Sequence, residues 1–354
     1  MTPTRDASPS AAAAAQATHM SREAGEAPQA VRRQLEANRA LMEALGPKLR
    51  ELEPGAVVTC ARGSSDHAAT YAKYLVETRI GVLTSSAAPS VSSVYAASTD
   101  LRGVLVLAIS QSGASPDLLR SVETARAAGA CTVALVNADG SPLESLAEYT
   151  IPLHAGPEIS VAATKSYLAS LAAIAQLVAA WTGDEDLRRN LARLPDAMEQ
   201  AWELDWSPAV ERLRDAGSLY VLGRGLGLSI AQESALKFKE TCAIHAEGIS
   251  AAEVRHGPMA LVRPGFPVLI YGQDDETRPG VESVARDLAR RGSLLTVAGL
   301  TCAGAVELPT LPSDPALAPV LLGQSFYRMV NALSVARGLD PDRPPHLSKI
   351  TETL

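Results

Sequence analysis

Aromatic side chains are scarce in this 354-residue chain, at 4% of the composition, although apolar residues as a whole reach 47%. Ala, Leu and Val carry that apolar content, which suits helices packed closely on parallel sheets and argues against an all-β core. Cysteine is scarce too. Cys60, Cys131, Cys242 and Cys302 lie far apart with no CxxC or Cys/His ligand spacing, so neither a zinc site nor a disulfide framework is indicated, and no metal is expected. Cys60, Cys131 and Cys302 sit in or beside apolar, strand-like runs and read as small buried hydrophobes.

Positive charge is not in excess: the formal charge is −7 and the isoelectric point is near 5.5. A surface of that sign has no general attraction for nucleic acid or an anionic membrane, so neither is expected as a partner, and an anionic ligand needs a local site. No apolar run approaches the roughly 18 to 20 residues of a membrane span. The Ala11 to Ala15 run follows Asp6 and leads into no long apolar region, unlike a secretory leader. These absences lead to the expectation of a cytoplasmic protein.

The length suffices for two compact α/β domains, each with its own core. Residues 1–22 open with Ala, Ser, Thr and Pro, too poor in large apolar groups to offset chain entropy; they read as a disordered tail, with Met20 an alternative start. From Glu23 to Leu52, Val31, Leu35, Leu41, Leu45 and Leu49 mark an amphipathic helix ended by Pro54-Gly55. Short apolar runs then alternate with helical stretches: strand Ala56 to Cys60, helix Ser65 to Thr78, strand Gly103 to Ile109, helix Ser115 to Ala128, strand Cys131 to Val136. Strand, helix, strand implies parallel pairing. A helical connection over Asp184 to Ala216 leads to a second alternating series, with strands at Ser218 to Leu222, Phe266 to Tyr271 and Ser293 to Val297. The boundaries expected are 23–200 for the first domain, 201–340 for the second and 341–354 for a C-terminal tail. VVTCARG (Val57 to Gly63) and YVLGRG (Tyr220 to Gly225) both set Arg-Gly after a strand and before a helix, which suggests internal duplication.

Two loops follow strands of the first series: Gly63-Ser64-Ser65, and Ser110-Gln111-Ser112-Gly113-Ala114-Ser115. The carboxyl edge of a parallel sheet is where ligands bind, and a helix N-terminus offers free N–H groups to an anion. Small hydroxyls complete such a cradle, and Gly113 permits close backbone approach. Ser and Gly are equally at home in caps and turns, so each loop alone reads either way. Two on one sheet point to a phosphate. There is no GxxxxGK[ST] and no Gly-rich dinucleotide pattern after the first strand, which points to a small metabolite rather than a nucleotide.

Between Glu233 and Pro258 acids and bases are dense for a chain that is 20% charged. Glu233, Lys237 and Glu240 fall on one helix face, either a solvated salt-bridge stripe or a functional cluster. His245, Glu247, Glu253, Arg255 and His256 follow in a Gly- and Ala-rich stretch that reads as an irregular loop. A histidine and a carboxylate shielded from water both exchange protons near neutral pH. Lys349 lies in an ordered-looking C-terminal tail, where it is either a surface lysine or within reach of a site.

With these runs in view, the chain resembles the sugar-isomerase (SIS) family, especially the isomerase half of glucosamine-6-phosphate synthase and the stand-alone SIS-type glucosamine-6-phosphate deaminases. The resemblance spans roughly Glu23 to Leu354. It is carried by ARGSSDHAATYAKYL from Ala61, ISQSGASPDLL from Ile109, VAATKSYLASL from Val161, GRGLGLSIAQESALKFKE from Gly223, HAEGISAAEVRHGP from His245 and HLSKITETL from His346. PSVSSVY from Pro89 and SDHA from Ser65 look closer to the deaminases, and nothing before Glu23 resembles the synthase's glutaminase domain.

The resemblance implies an α/β fold of two tandem SIS domains, each a parallel sheet flanked by helices in a flavodoxin-like three-layer αβα arrangement. It implies that Ser64, Ser65, Ser110, Gln111, Ser112 and Ser115 hold a sugar phosphate, Ser115 standing where the synthase has threonine, and that Val161 lines the sugar. Glu240 resembles the general base, Glu233 and Lys237 its supporting pair, His256 the ring-opening acid/base and Lys349 the C-terminal lysine near C1 and C2. In related dimers the histidine loop enters the neighbouring subunit's site, so a homodimer with shared sites is implied. The activity implied is conversion of glucosamine 6-phosphate to fructose 6-phosphate and ammonia without a cofactor. Deamination of galactosamine 6-phosphate, deglycation of a fructosamine 6-phosphate, aldose–ketose isomerisation and a non-catalytic phosphosugar sensor are the competing readings.

Overall fold

The computed structural model describes residues 11–97 and 99–349. Four helices open the chain: α1 (Ala11–Gln16), α2 (His19–Gly25), α3 (Ala27–Ala37) and α4 (Arg39–Leu52). The first alternating series follows as β1 (Ala56–Cys60), α5 (Ser64–Arg79), β2 (Thr84–Ser86), α6 (Pro89–Ser93), β3 (Val104–Ser110), α7 (Pro116–Ala127), β4 (Cys131–Val136), α8 (Pro142–Leu146) and β5 (Tyr149–Pro152). Helices α9 (Lys165–Thr182), α10 (Glu185–Glu203) and α11 (Ser207–Leu213) connect it to the second series. That series runs β6 (Ser218–Gly223), α12 (Gly227–Cys242), β7 (His245–Ser250), β8 (Pro267–Tyr271), α13 (Arg278–Arg290), β9 (Leu294–Ala298), β10 (Val306–Leu308) and α14 (Ala318–Ala336).

All pairings are parallel, in the orders β2-β1-β3-β4-β5 and β10-β9-β8-β6-β7. Read from its other end, the second sheet runs β7-β6-β8-β9-β10, the strand order of the first, so the two halves share one topology. Side-chain alternation sends one face of each sheet into a common interior: Leu105, Leu107 and Ile109 of β3 join Leu219 and Val221 of β6. The intervening residues face outward, Ala108 onto α7 and α8, and Val268 and Ile270 onto α13. Helices α5, α9, α12 and α14 fill the common interior. Helix α9 is buried on nearly every side, as its sequence of Ala, Leu, Ile and Val allows.

Several expectations are corrected. The tail expected over residues 1–22 is structured from residue 11 on: Thr18 caps α2, the backbone N–H groups of His19 and Met20 donate to the Asp342 carboxylate at 2.7 Å each, and Met20 is buried. Residues 1–10 lie outside the described residues. The single helix expected over Glu23 to Leu52 is broken at Glu26 and Asn38 into three segments, because each must turn to lay its apolar face on α9 or α14. The stretch from His245, expected as an irregular loop, begins as β7, the edge strand beside β6; two short 3-10 turns, Glu253–His256 and Pro258–Leu261, follow. Pairing with β6 overrides the weak strand propensity of Ala and Gly there. Cys60 and Cys242 are buried thiols, pushed up to about 11 and about 12 by burial.

Helix α4 crosses α9 so closely at Gly46 that a Cβ there would lie 2.3 Å from the Ala180 carbonyl oxygen. Gly46→Ala is expected to destabilise the fold by about 1–3 kcal/mol through overpacking. Gly217→Ala, whose Cβ meets nothing within 4 Å, should stay near wild type. Equal denaturant midpoints for the two variants would refute the close crossing.

Candidate functional site

In a parallel sheet a crevice opens at the carboxyl edge where two neighbouring strands send their connections to opposite faces. Strands β1 and β3 are such neighbours: β1 leads to α5 in the common interior, and β3 leads to α7 on the outer face. The cavity at this point, of about 340 Å³, is lined by Ser64 and Ser65 after β1, by Ser110, Gln111, Ser112 and Ser115 after β3, and by Val161. Lys237, Glu240 and Lys349 border the same cavity. The structure thus brings together ten of the twelve site residues expected from sequence.

The cradle keeps free donors. Neither N-cap residue, Gly63 of α5 or Ser115 of α7, makes a side-chain cap hydrogen bond, and the hydroxyls of Ser65 and Ser115 and the amide of Gln111 make no hydrogen bond to the described residues. Ser110 also closes the turn, its Oγ accepting from the Gly113 N–H at 2.9 Å. Gly113 has φ +62, and a Cβ there would sit 2.5 Å from Ser141 Oγ, so the tight turn excludes other residues.

Beside the cradle, Glu233 of α12 is completely buried. It accepts hydrogen bonds from Ser64 Oγ at 3.1 Å and Tyr327 Oη at 2.9 Å, and His67 Nδ1 lies 2.9 Å from its Oε2. Lys237 Nζ, one turn on and also buried, lies 3.5 Å from Glu233 and donates to Glu240 Oε2. Burial pushes the Glu233 carboxyl up, but Lys237, His67 and Tyr327 outweigh it, and the net direction is down. For Lys237, burial pulls down and the two carboxylates outweigh it, so the ammonium is kept charged. Glu240 is the partly exposed end of the row and the acid of the three that borders the cavity. The solvated-stripe reading of this helix face is therefore excluded for Glu233 and Lys237.

Sequence reasoning missed Glu158. Its buried carboxylate accepts from the Thr164 and Ser166 N–H groups at 2.9 and 3.2 Å, from Ser166 Oγ at 2.7 Å and from Lys349 Nζ at 3.1 Å. Burial pushes the Glu158 carboxyl up; Lys349 and these donors outweigh it, and the net direction is down. Lys349 also donates to the Ser160 carbonyl at 2.7 Å, so the C-terminal tail is fastened to the loop that carries Val161. A lone acid in AGPEIS carries no pattern that marks it in sequence. His67 and Tyr327 were missed as well, since both reach Glu233 only by helix packing.

His256 does not line this cavity; it is exposed on the turn after β7. Among the described residues no cluster of three or more His, Cys, Asp or Glu is placed to hold a metal, and no helix is long and apolar enough to cross a membrane.

Comparison with known proteins agrees with this architecture. The SIS domain model matches residues 53–180 and 212–311, one segment per sheet. Glutamine–fructose-6-phosphate aminotransferase (isomerizing) of Aeropyrum pernix is 36% identical over 315 residues, covering 83% of this chain and 51% of the relative. The chain spans about half the length of the curated relatives it matches. A solved structure from Silicibacter pomeroyi, provisionally assigned as a phosphosugar isomerase, superposes with a TM-score of 0.87 at 42% identity, covering 92% of this chain and all of that one. The C-terminal domain of glucosamine-fructose-6-phosphate aminotransferase from Francisella tularensis gives a TM-score of 0.84 at 26% identity over 93% of this chain and 98% of its own. With two sheets of one topology, a cradle at the switch point of the first and a family model matched over both, the chain belongs to the SIS domain family.

Proposed function

We propose that the protein is a sugar-phosphate isomerase whose net reaction is the deamination of an amino-sugar 6-phosphate, glucosamine 6-phosphate to fructose 6-phosphate and ammonia. The observation that carries this reading is the meeting, in one cavity, of a serine and amide cradle with the Glu240 carboxylate backed by buried Lys237. The cradle would hold the phosphate, and Val161 would line the sugar. Glu233 holds Lys237, and Lys237 holds Glu240, so the carboxylate is presented in one position.

In the reaction as proposed, the ring opens first, because the closed hemiacetal has no acidic C2 proton. His256 would move the proton between ring oxygen and C1 hydroxyl; since it does not line the cavity of its own chain, in this reading it is supplied by a second copy. Glu240 then takes the C2 proton, the electron pair forming the C1–C2 double bond of an enolamine as the aldehyde oxygen is protonated. Return of a proton to C1 leaves an imine at C2. Water adds to that imine and ammonia leaves, giving the ketose. Lys237 and Lys349 would offset charge on the developing enolate oxygen.

Glu240→Gln is expected to lower kcat on glucosamine 6-phosphate by about 10²- to 10⁴-fold with KM little changed, the range of a lost general base. Coupled measurement of ammonia and fructose 6-phosphate reads this. Unchanged turnover removes Glu240 from the mechanism, and ketose formation without ammonia from unaminated sugar phosphates makes the protein an aldose–ketose isomerase.

A second expectation concerns Glu158. Its carboxyl titrates below the usual 4.5 in the folded chain, so the unfolded chain binds protons more readily than the folded one. The stability it contributes is complete above about pH 4.5 and is lost as pH falls through the lower folded value. Glu158→Gln should therefore flatten the acid-side loss of unfolding free energy and speed proteolysis of the tail after Asp342. An unaltered acid slope in equilibrium unfolding would contradict the anchoring of Lys349.

A further inference from the structure

We propose that Arg62 is a substrate-anchoring residue: its guanidinium, aimed by Asp117 at the rim of the cradle, binds the phosphate and supplies the positive charge that the serines lack. The proposal rests on the sugar-phosphate reading above.

The cradle consists of hydroxyls and amides, which donate hydrogen bonds but carry no net charge. The two lysines of the cavity are committed elsewhere, Lys237 to Glu233 and Glu240, and Lys349 to Glu158. A phosphate monoester carries a charge of about −1.5 to −2 at pH 7. Arg62 lies two residues after the end of β1 and lines the cavity together with Ser64 and Ser65. Its Nε and Nη2 both donate to Asp117 Oδ2, at 2.9 and 2.7 Å, while Nη1 makes no hydrogen bond to the described residues.

The burial of the pair is lopsided. The Asp117 side chain is 1% exposed and that of Arg62 is 53% exposed. Asp117 is also fixed from behind, its Oδ1 accepting from the Leu118 N–H at 2.8 Å in the first turn of α7. A buried, immobile carboxylate therefore sets the plane of a half-exposed guanidinium, leaving one edge of a phosphate-matching fork open toward the cradle.

The second sheet supplies an internal control. Arg224 occupies the matching place after β6 and lies over the first turn of α13, where its Nη1 is 2.4 Å from a Cβ built on Gly280. It has no acidic partner among the described residues. The loop after β8 reads Gln273-Asp274-Asp275-Glu276 in place of Ser110-Gln111-Ser112. Arginine after the strand is thus common to both halves, whereas the carboxylate that aims it occurs where the cradle is.

The competing account is that Arg62 is merely the counterion of buried Asp117. Arg62→Gln and the double variant Arg62→Gln with Asp117→Asn separate the two, since the double variant restores a neutral, amide-paired site. The readouts are calorimetric titration with inorganic phosphate and steady-state kinetics on glucosamine 6-phosphate. Loss of a charged hydrogen bond should weaken phosphate binding and raise KM by about 10- to 100-fold in both variants, with kcat within about threefold. Recovery of wild-type phosphate affinity in the double variant overturns the proposal, as does a change below twofold in either. Should the single variant fail to fold, judged by circular dichroism, the double variant decides alone. Wild-type protein that binds neither phosphate nor glucosamine 6-phosphate removes the sugar-phosphate reading itself and Arg62 with it; a null confined to the variants removes Arg62 only.

Discussion

Glu233 and Lys237 sit together out of water, and the rest of the site depends on how that pair is satisfied. Withdrawing a carboxylate and an ammonium from solvent costs several kcal/mol per ion, and their mutual attraction repays it only when the remaining lone pairs and protons are also used. Here they are: Ser64 and His67 reach Glu233 from α5, Tyr327 from α14, and Glu240 takes the far side of Lys237. The row thereby ties three central helices at one depth. It also ends in a carboxylate that is partly exposed and borders the cavity, so the interaction that satisfies the interior also positions Glu240 at the cavity wall.

The position of that row follows from topology. Both sheets have the same strand order and both open a crevice beside their central strand, but the serine-rich loops lie on the first, whereas the loop after β8 of the second carries Asp274, Asp275 and Glu276. Helix α12 belongs to the second series yet packs on α5 of the first, so the acids of one half face the cradle of the other. Duplication supplied two crevices, and divergence of side chains left one of them suited to an anion. The N- and C-terminal segments finish the enclosure: Asp342 caps α2, and Lys349 fastens the tail to Glu158 under the loop of Val161.

The elements that sequence marked well are those whose pattern is local. β1 and β4 fall on the residues expected, because each is a short apolar run bounded by turn residues. The cradle was legible for a similar reason, since Ser and Gly after a strand and before a helix have a local meaning. What was misread depends on neighbours far along the chain. β7 is a strand because β6 lies beside it, and the first helices are ordered because α9 and α14 offer them a buried surface.

By itself, then, the amino-acid order determined the alternation of strand and helix, the duplicated Arg-Gly turns, the serine cradle and the spacing that puts Glu233, Lys237 and Glu240 on one helix face. All of these follow from contacts between residues a few positions apart. Tertiary structure alone decided that this face is dry rather than solvated, that Glu158 holds Lys349, and that His67 and Tyr327 converge on Glu233. Burial and long-range pairing decide whether a charge is a solvated ornament or part of a site, and both are properties of the packed chain that no spacing along the sequence encodes.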